Sequence, residues 1–209
     1  MKNHRRGQQA LCLLLSSVLL AMASGVLAAS GGITVFDPVN SAFTAPSSIN
    51  NQGAITGQYF DNSTGYHGFS RDPNGAITVF DPKDSAGTFP SGINDDGAIT
   101  GSYNDSSSAR QRGFVRKRNG AIKVFDATKS SSIFTAPTSI NNQGAITGDY
   151  YDPSARMNHG FVREQNGAVT VFDPENSGGT LPHSINDEGA ITGNYLDTSF
   201  RSRGFVRQP

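Results

Sequence analysis

One motif occurs four times in this chain of 209 residues, and that repetition constrains the fold more than any other feature. Ile-Asn-x-x-Gly-Ala-Ile-Thr-Gly begins at Ile49, Ile93, Ile140 and Ile185. Each copy runs on into Tyr-x-Asp, at Tyr59/Asp61, Tyr103/Asp105, Tyr150/Asp152 and Tyr195/Asp197, and then into Gly-Phe at Gly68, Gly113, Gly160 and Gly204. Val-Phe-Asp recurs with Phe36, Phe80, Phe125 and Phe172, at spacings of 44, 45 and 47. A second layer alternates. Units one and three share Phe-Thr-Ala-Pro and carry His67 and His159 before Gly-Phe; units two and four share Gly-Thr before the proline and carry Arg112 and Arg203. A duplicated pair of units accounts for the alternation.

Each unit reads as four short strands. In unit two these are Pro90–Asn94, Ala98–Tyr103, Gly113–Arg116 and Ala121–Phe125. Asn94-Asp95-Asp96-Gly97 supplies residues that tolerate left-handed or self-bonded turns. Asn119-Gly120 predicts a two-residue type I′ hairpin, and Asn104–Arg112 a longer polar loop. Four strands in about 45 residues, repeated, is the signature of a propeller blade. A fourth-strand segment, Ile33–Asp37, precedes unit one, and unit four stops after its third strand, Gly204–Arg207. Pairing the two would complete the last blade. The expected architecture is therefore an all-β, four-bladed β-propeller with units at about 45–82, 87–127, 135–174 and 181–207, the last closed by residues 32–38. An open β-solenoid is the competing arrangement.

Composition must be divided before it is read. Residues 1–29 have the layout of a secretory signal peptide, with Lys2, Arg5 and Arg6 before an apolar Leu11–Leu20 and a small-residue cleavage pattern at Val26-Leu27-Ala28. General secretion is preferred over twin-arginine export, because the residues around Arg5-Arg6 do not complete that signal. Removing the leader takes three of 17 basic and none of 17 acidic residues, so the domain over 30–209 has a formal charge of −3. It also removes Cys12 and seven of nine leucines, leaving Leu181 and Leu196. A helical bundle, a disulfide framework, a thiol nucleophile and a basic nucleic-acid surface are thereby excluded.

The repeats resemble the bacterial extracellular HAF repeat family, whose units pair Ile-Asn-x-x-Gly-x-x-x-Gly with a later His-Ala-Phe. The first half matches in all four units. The second reads His-Gly-Phe at His67 and His159 and Arg-Gly-Phe at Arg112 and Arg203. The resemblance implies secretion and propeller-type repeats; it supplies no catalytic residue.

Residues common to every unit solve a shared packing problem, and the Phe of Val-Phe-Asp is expected between blades. Tyr59, Tyr103, Tyr150 and Tyr195 face the same side of strand two as the Asp two residues on. Each pair either buries a ring and anchors a loop, or joins its counterparts at a rim suited to sugars or cations. The loop between strands two and three varies most, and variable loops on a rigid scaffold carry binding. Tyr66, His67, Arg112, His159, Phe200 and Arg203 are the candidates there, with His and Arg alternating as if for an anionic group. His183 stands where the other units have Ser47, Ser91 and Thr138. The acidic turns at 94–97 and 186–189 lack the spaced ligands of a calcium loop, and neither a metal nor a cofactor is implied. No Ser-His-Asp set can be assembled from spacing. The expected function is non-enzymatic binding of an extracellular glycan or protein, against a glycan-processing hydrolase or a passive adhesive surface protein as alternatives.

Overall fold

The computed structural model describes residues 32–128 and 134–209, so the leader expected over 1–29 lies outside it. Residues 32–35 form no strand; residues 36–209 form a separate unit that carries the whole fold. That unit is all-β. Among the described residues there is no helix, and hence none long and apolar enough to cross a membrane.

The first sheet is an antiparallel meander of β1 (Ser41–Ile49), β2 (Ile55–Asp61), β3 (Gly65–Arg71) and β4 (Ile77–Phe80). Unit two repeats it with β5 (Ser85–Ile93), β6 (Ile99–Asp105), β7 (Arg110–Arg116) and β8 (Ile122–Phe125). Unit three follows with β9 (Phe134–Ile140), β10 (Ile146–Asp152), β11 (Met157–Arg163) and β12 (Val169–Phe172). A single parallel bridge, Gln111 to Phe134, links the sheets of units two and three. Unit four has three strands, β13 (Thr180–Ile185), β14 (Ile191–Leu196) and β15 (Ser202–Arg207). None of the sheets closes into a barrel.

Residues 32–38, expected to complete the last sheet, carry no strand, and unit four ends at β15. The glycines report the same difference. A Cβ on Gly68, Gly113 or Gly160 would meet the Phe ring of its own fourth strand, Phe80, Phe125 or Phe172, whereas one on Gly204 would meet nothing within 4 Å.

Both turns of units one to three, and the β13–β14 turn of unit four, share one geometry. Gly97 N–H donates to Asn94 O and Asn94 N–H to Ala98 O; Gly120 N–H donates to Lys117 O and Lys117 N–H to Ala121 O. Only the glycine is left-handed, with φ of 75° at Gly97 and 89° at Gly120. This is a type I turn closed by a glycine bulge, and the expected type I′ turn is corrected to it. Asn119 keeps a negative φ because its Oδ1 accepts the Ala121 N–H, an Asx arrangement that stabilises the turn without left-handed asparagine.

Packing between units follows the Val-Phe-Asp phenylalanines. Phe36, Phe80, Phe125 and Phe172 meet the next unit's Phe69, Phe114, Phe161 and Phe205 edge-on, at centroid distances of 6.0, 6.0, 6.3 and 5.9 Å. Arg71, Arg116, Arg163 and Arg207 lie over the same rings. Full burial of each phenylalanine contributes about 1.5–3 kcal/mol.

A polar ladder runs beside this apolar one. The side-chain amide of Asn50 donates to Asn94 O, that of Asn94 to Asn141 O, and that of Asn141 to Asn186 O. Each Asn Oδ1 also accepts the N–H of the alanine that ends its own turn.

Candidate functional site

The candidate residues are positioned by strands two and three of each unit. The third strand begins earlier than expected, at Arg110 rather than Gly113 in unit two, so most candidates lie on a strand and not in a loop. Cross-strand pairing explains the extension: Tyr59 sits opposite His67, Tyr103 opposite Arg112, Tyr150 opposite His159 and Tyr195 opposite Arg203. In units one and three the tyrosine ring packs against the imidazole. Tyr59–His67 and Tyr150–His159 have ring centroids 5.3 Å apart.

Tyr59, Tyr103 and Tyr150 are buried and Tyr195 is partly so. They do not form an exposed aromatic rim, and Tyr59 and Tyr150 pack beneath a histidine. The paired aspartates hold the following loop, since Asp61, Asp105, Asp152 and Asp197 each accept an N–H two residues on. Hydrogen bonds from Ser107, above all its hydroxyl, hold the Asp105 carboxyl down at about 2.

Each basic residue is already matched by a carboxylate. His67 Nδ1 donates to Asp81 Oδ2 at 2.6 Å, and His159 Nδ1 to Asp173 Oδ2 at 2.6 Å. Arg112 donates to both oxygens of Asp126 at 3.1 Å and reaches Asp105 at 3.4 Å. Arg203 donates to Asp197 at 3.0 Å. The partner in units one to three is the aspartate of Val-Phe-Asp, which sequence reading treats only as a strand end. In units one and three its other oxygen accepts from Thr88 or Thr180 of the next unit. The chain Tyr–His–Asp–Thr therefore fastens one unit to the next, and at all four positions the basic group already contacts a carboxylate.

Unit one adds a hydroxyl: His67 Nε2 lies 2.8 Å from Thr64 Oγ1. Thr64, His67 and Asp81 thus form a hydroxyl–imidazole–carboxylate chain of the kind that can activate a nucleophile. In unit three, His159 Nε2 instead faces Asp152 at 4.0 Å.

Phe200 stands apart. It is 86% exposed, at a left-handed φ of 59°, at the tip of the β14–β15 loop. Asp197 fixes that loop: its Oδ1 accepts Ser199 and Arg201 N–H, and its carbonyl accepts Phe200 N–H. A bulky residue rarely adopts this backbone region. Tyr66, by contrast, packs between Phe60 and Phe89.

Two polar groups escape the sequence reading as a pair. Asp149 is buried in β10, accepts from Asn158 at 2.7 Å, and feels the charge of His183, whose Nε2 contacts Asn194 Oδ1. Burial pushes its carboxyl up to about 6. The acidic turns spend their carboxylates between units: Asp95 accepts from the Asn51 backbone and side chain and from Asn142, and Asp187 from Asn142. Among the described residues no group of three His, Cys, Asp or Glu is arranged to hold a metal ion.

Compared with known proteins, the chain matches no family model and no curated protein.

Proposed function

We propose that this is an exported, four-bladed propeller whose loop rim binds an extracellular glycan or protein without catalysis. Support for the ring comes from a cavity of about 170 Å³ lined by turn residues of all four units, among them Asn50, Asn94, Asn141 and Asp187. Stacked sheets lie about 10 Å apart, so the first and fourth members of a straight stack would be separated by about 30 Å. One small cavity shared by four units therefore favours a common axis over a straight stack.

The observation that carries the binding reading is Phe200, an exposed aromatic held in a costly backbone conformation by a loop tied to Asp197. Its face suits a sugar ring or an apolar protein side chain. The test is a glycan array probed with the 30–209 chain and with Phe200→Gly, which keeps the left-handed turn and removes the ring. Retention on particular glycans, weakened at least tenfold by Phe200→Gly, is expected. Absence of retention favours a passive surface role, and breakdown of arrayed sugar removes the non-enzymatic reading.

A hydrolase is the second reading, favoured by the Thr64–His67–Asp81 chain alone. Turnover of a chromogenic ester or glycoside that disappears in Thr64→Ala would establish it.

A further inference from the structure

The arginines at the ends of the third strands open a comparison between three equivalent clefts, one at each junction of consecutive units. The cleft between units one and two contains Arg116 and Arg118 with Asp72 and Asp95. That between units three and four contains Arg207 with Glu164, Asp187 and Glu188. The middle cleft differs. Arg163, Lys117 and Lys123 line it against a single carboxylate, Asp96.

Two substitutions within the repeat create that difference. Lys117 occupies the position of Asp72 and Glu164 in the sibling units, and Lys123 that of Thr78 and Thr170. Repeats conserve what packing requires, so departures concentrated in one cleft mark a role that packing does not explain. Arg163 is 3% exposed. It lies over Phe125 at 4.7 Å, and its only hydrogen bond among the described groups runs from Nη1 to Glu164 O at 3.2 Å. No ion pair within 4 Å involves Arg163, Lys117 or Lys123 among the described residues. Both Arg163 Nη2 and Lys123 Nζ converge on Gly167, at 3.3 and 3.7 Å from where its Cβ would stand. Ala98, Val115, Ile122 and Ile140 give the lining an apolar side, and Asn94 and Gln165 add uncharged polar groups. At about 330 Å³ the cleft falls at the small end of ligand pockets, which span about 300–1,000 Å³.

From this geometry we infer that the cleft between units two and three is a binding site for a small organic carboxylate with an apolar face, such as an acidic sugar residue. The carboxylate meets Arg163 Nη2 and the two lysine ammonium groups, and the carbon skeleton lies on Ile122 and Val115. Guanidinium and ammonium donors to a carboxylate make charge-assisted hydrogen bonds, and a partly dry site strengthens them. The site is separate from the Phe200 rim and does not depend on it.

Amide shifts of Gly144, Gly167 and Lys123 in the 30–209 chain, followed by NMR during titration with D-glucuronate, test the inference. Saturable shifts at these three residues are expected with glucuronate, and at least tenfold weaker ones with glucose or inorganic sulfate. The double variant Lys117→Asp/Lys123→Thr restores sibling residues and so keeps the fold. It is expected to weaken glucuronate binding at least tenfold with unchanged thermal unfolding. Equal shifts with sulfate, no shift at all, or undiminished binding by a folded double variant overturns the site.

Discussion

Asp149 shows how one residue can set the pH response of the whole domain. Its carboxyl rises to about 6 through burial, only partly offset by Asn158 and by the charge of His183. The unfolded chain gives up this proton near pH 4. Between pH 4 and 6 the folded state therefore binds more protons than the unfolded state, and stability falls as pH rises through that window. A difference of about two pH units corresponds to a loss of up to about 3 kcal/mol above pH 6. Asp149→Asn, which copies Asn194 of unit four and can still accept from Asn158, is expected to abolish this slope. It should raise Tm at pH 7 while leaving Tm at pH 4 nearly unchanged. Parallel Tm-against-pH curves for the two proteins would contradict it. Asp105 works in the opposite sense: its carboxyl is held near 2 by the Ser107 hydroxyl and its neighbours, so its contribution is present above about pH 4 and disappears as the solution is acidified. Neither shift is legible in the sequence. Asp149 stands at a position filled by Gln58, Ser102 and Asn194 elsewhere, and only the packing of unit four against it reveals its burial. The fate of His67 and Arg112 was half legible: their alternation is plain in the repeat, but their Asp81 and Asp126 partners are 14 residues away, across a hairpin.

Strands and turns were the most legible level, because glycine and asparagine positions repeat with the geometry that needs them. A Cβ on Gly101 would overlap the Phe89 carbonyl, which is why Ile-Thr-Gly recurs at each second strand. Strand ends were less legible. β5 starts at Ser85 rather than Pro90, since the polar segment before the proline joins the sheet through a register shift between Ser85 and Thr88. The Ser85 and Thr88 hydroxyls there bond each other, and Thr88 also donates to Asp81. The asparagine ladder is the element-scale feature with the largest expected effect. Asn94 is 5% exposed and joins the Ala98 N–H to the Asn141 carbonyl. Asn94→Ala leaves the Ala98 N–H without that partner, at about 1–3 kcal/mol, and removes one of two donors from the Asn141 carbonyl, which keeps the Gly144 N–H. For a domain of this size that corresponds to a Tm lowered by about 2–12 °C. A loss under about 2 °C would show that the ladder contributes little.

At the scale of the molecule, the ladder offers a measurement of closure. Asn50, Asn94 and Asn141 each donate to the next unit, so a ring requires Asn186 to donate to Asn50 O in the same way. The same closure would set the Phe36 ring against Gly204 and make Asp37 available to Arg203, as Asp126 is to Arg112. The two seams differ in one decisive respect: Asn186 is exposed where Asn94 is buried. If units four and one stay apart, Asn186→Ala removes only its bond to the Ala190 N–H, a cap-like loss of about 1 kcal/mol. If they close, the substitution also breaks a buried interunit bond, and its cost approaches that of Asn94→Ala. The propeller reading therefore expects the two variants to lower Tm by similar amounts, and deletion of residues 33–37 to bring the cost of Asn186→Ala down to the smaller value. An Asn186→Ala effect below a third of the Asn94→Ala effect in the full 30–209 chain would instead establish an open arc. The coupling between the deletion and the point variant is what separates a closed seam from a merely well-packed last sheet, because packing inside β13–β15 is the same in both.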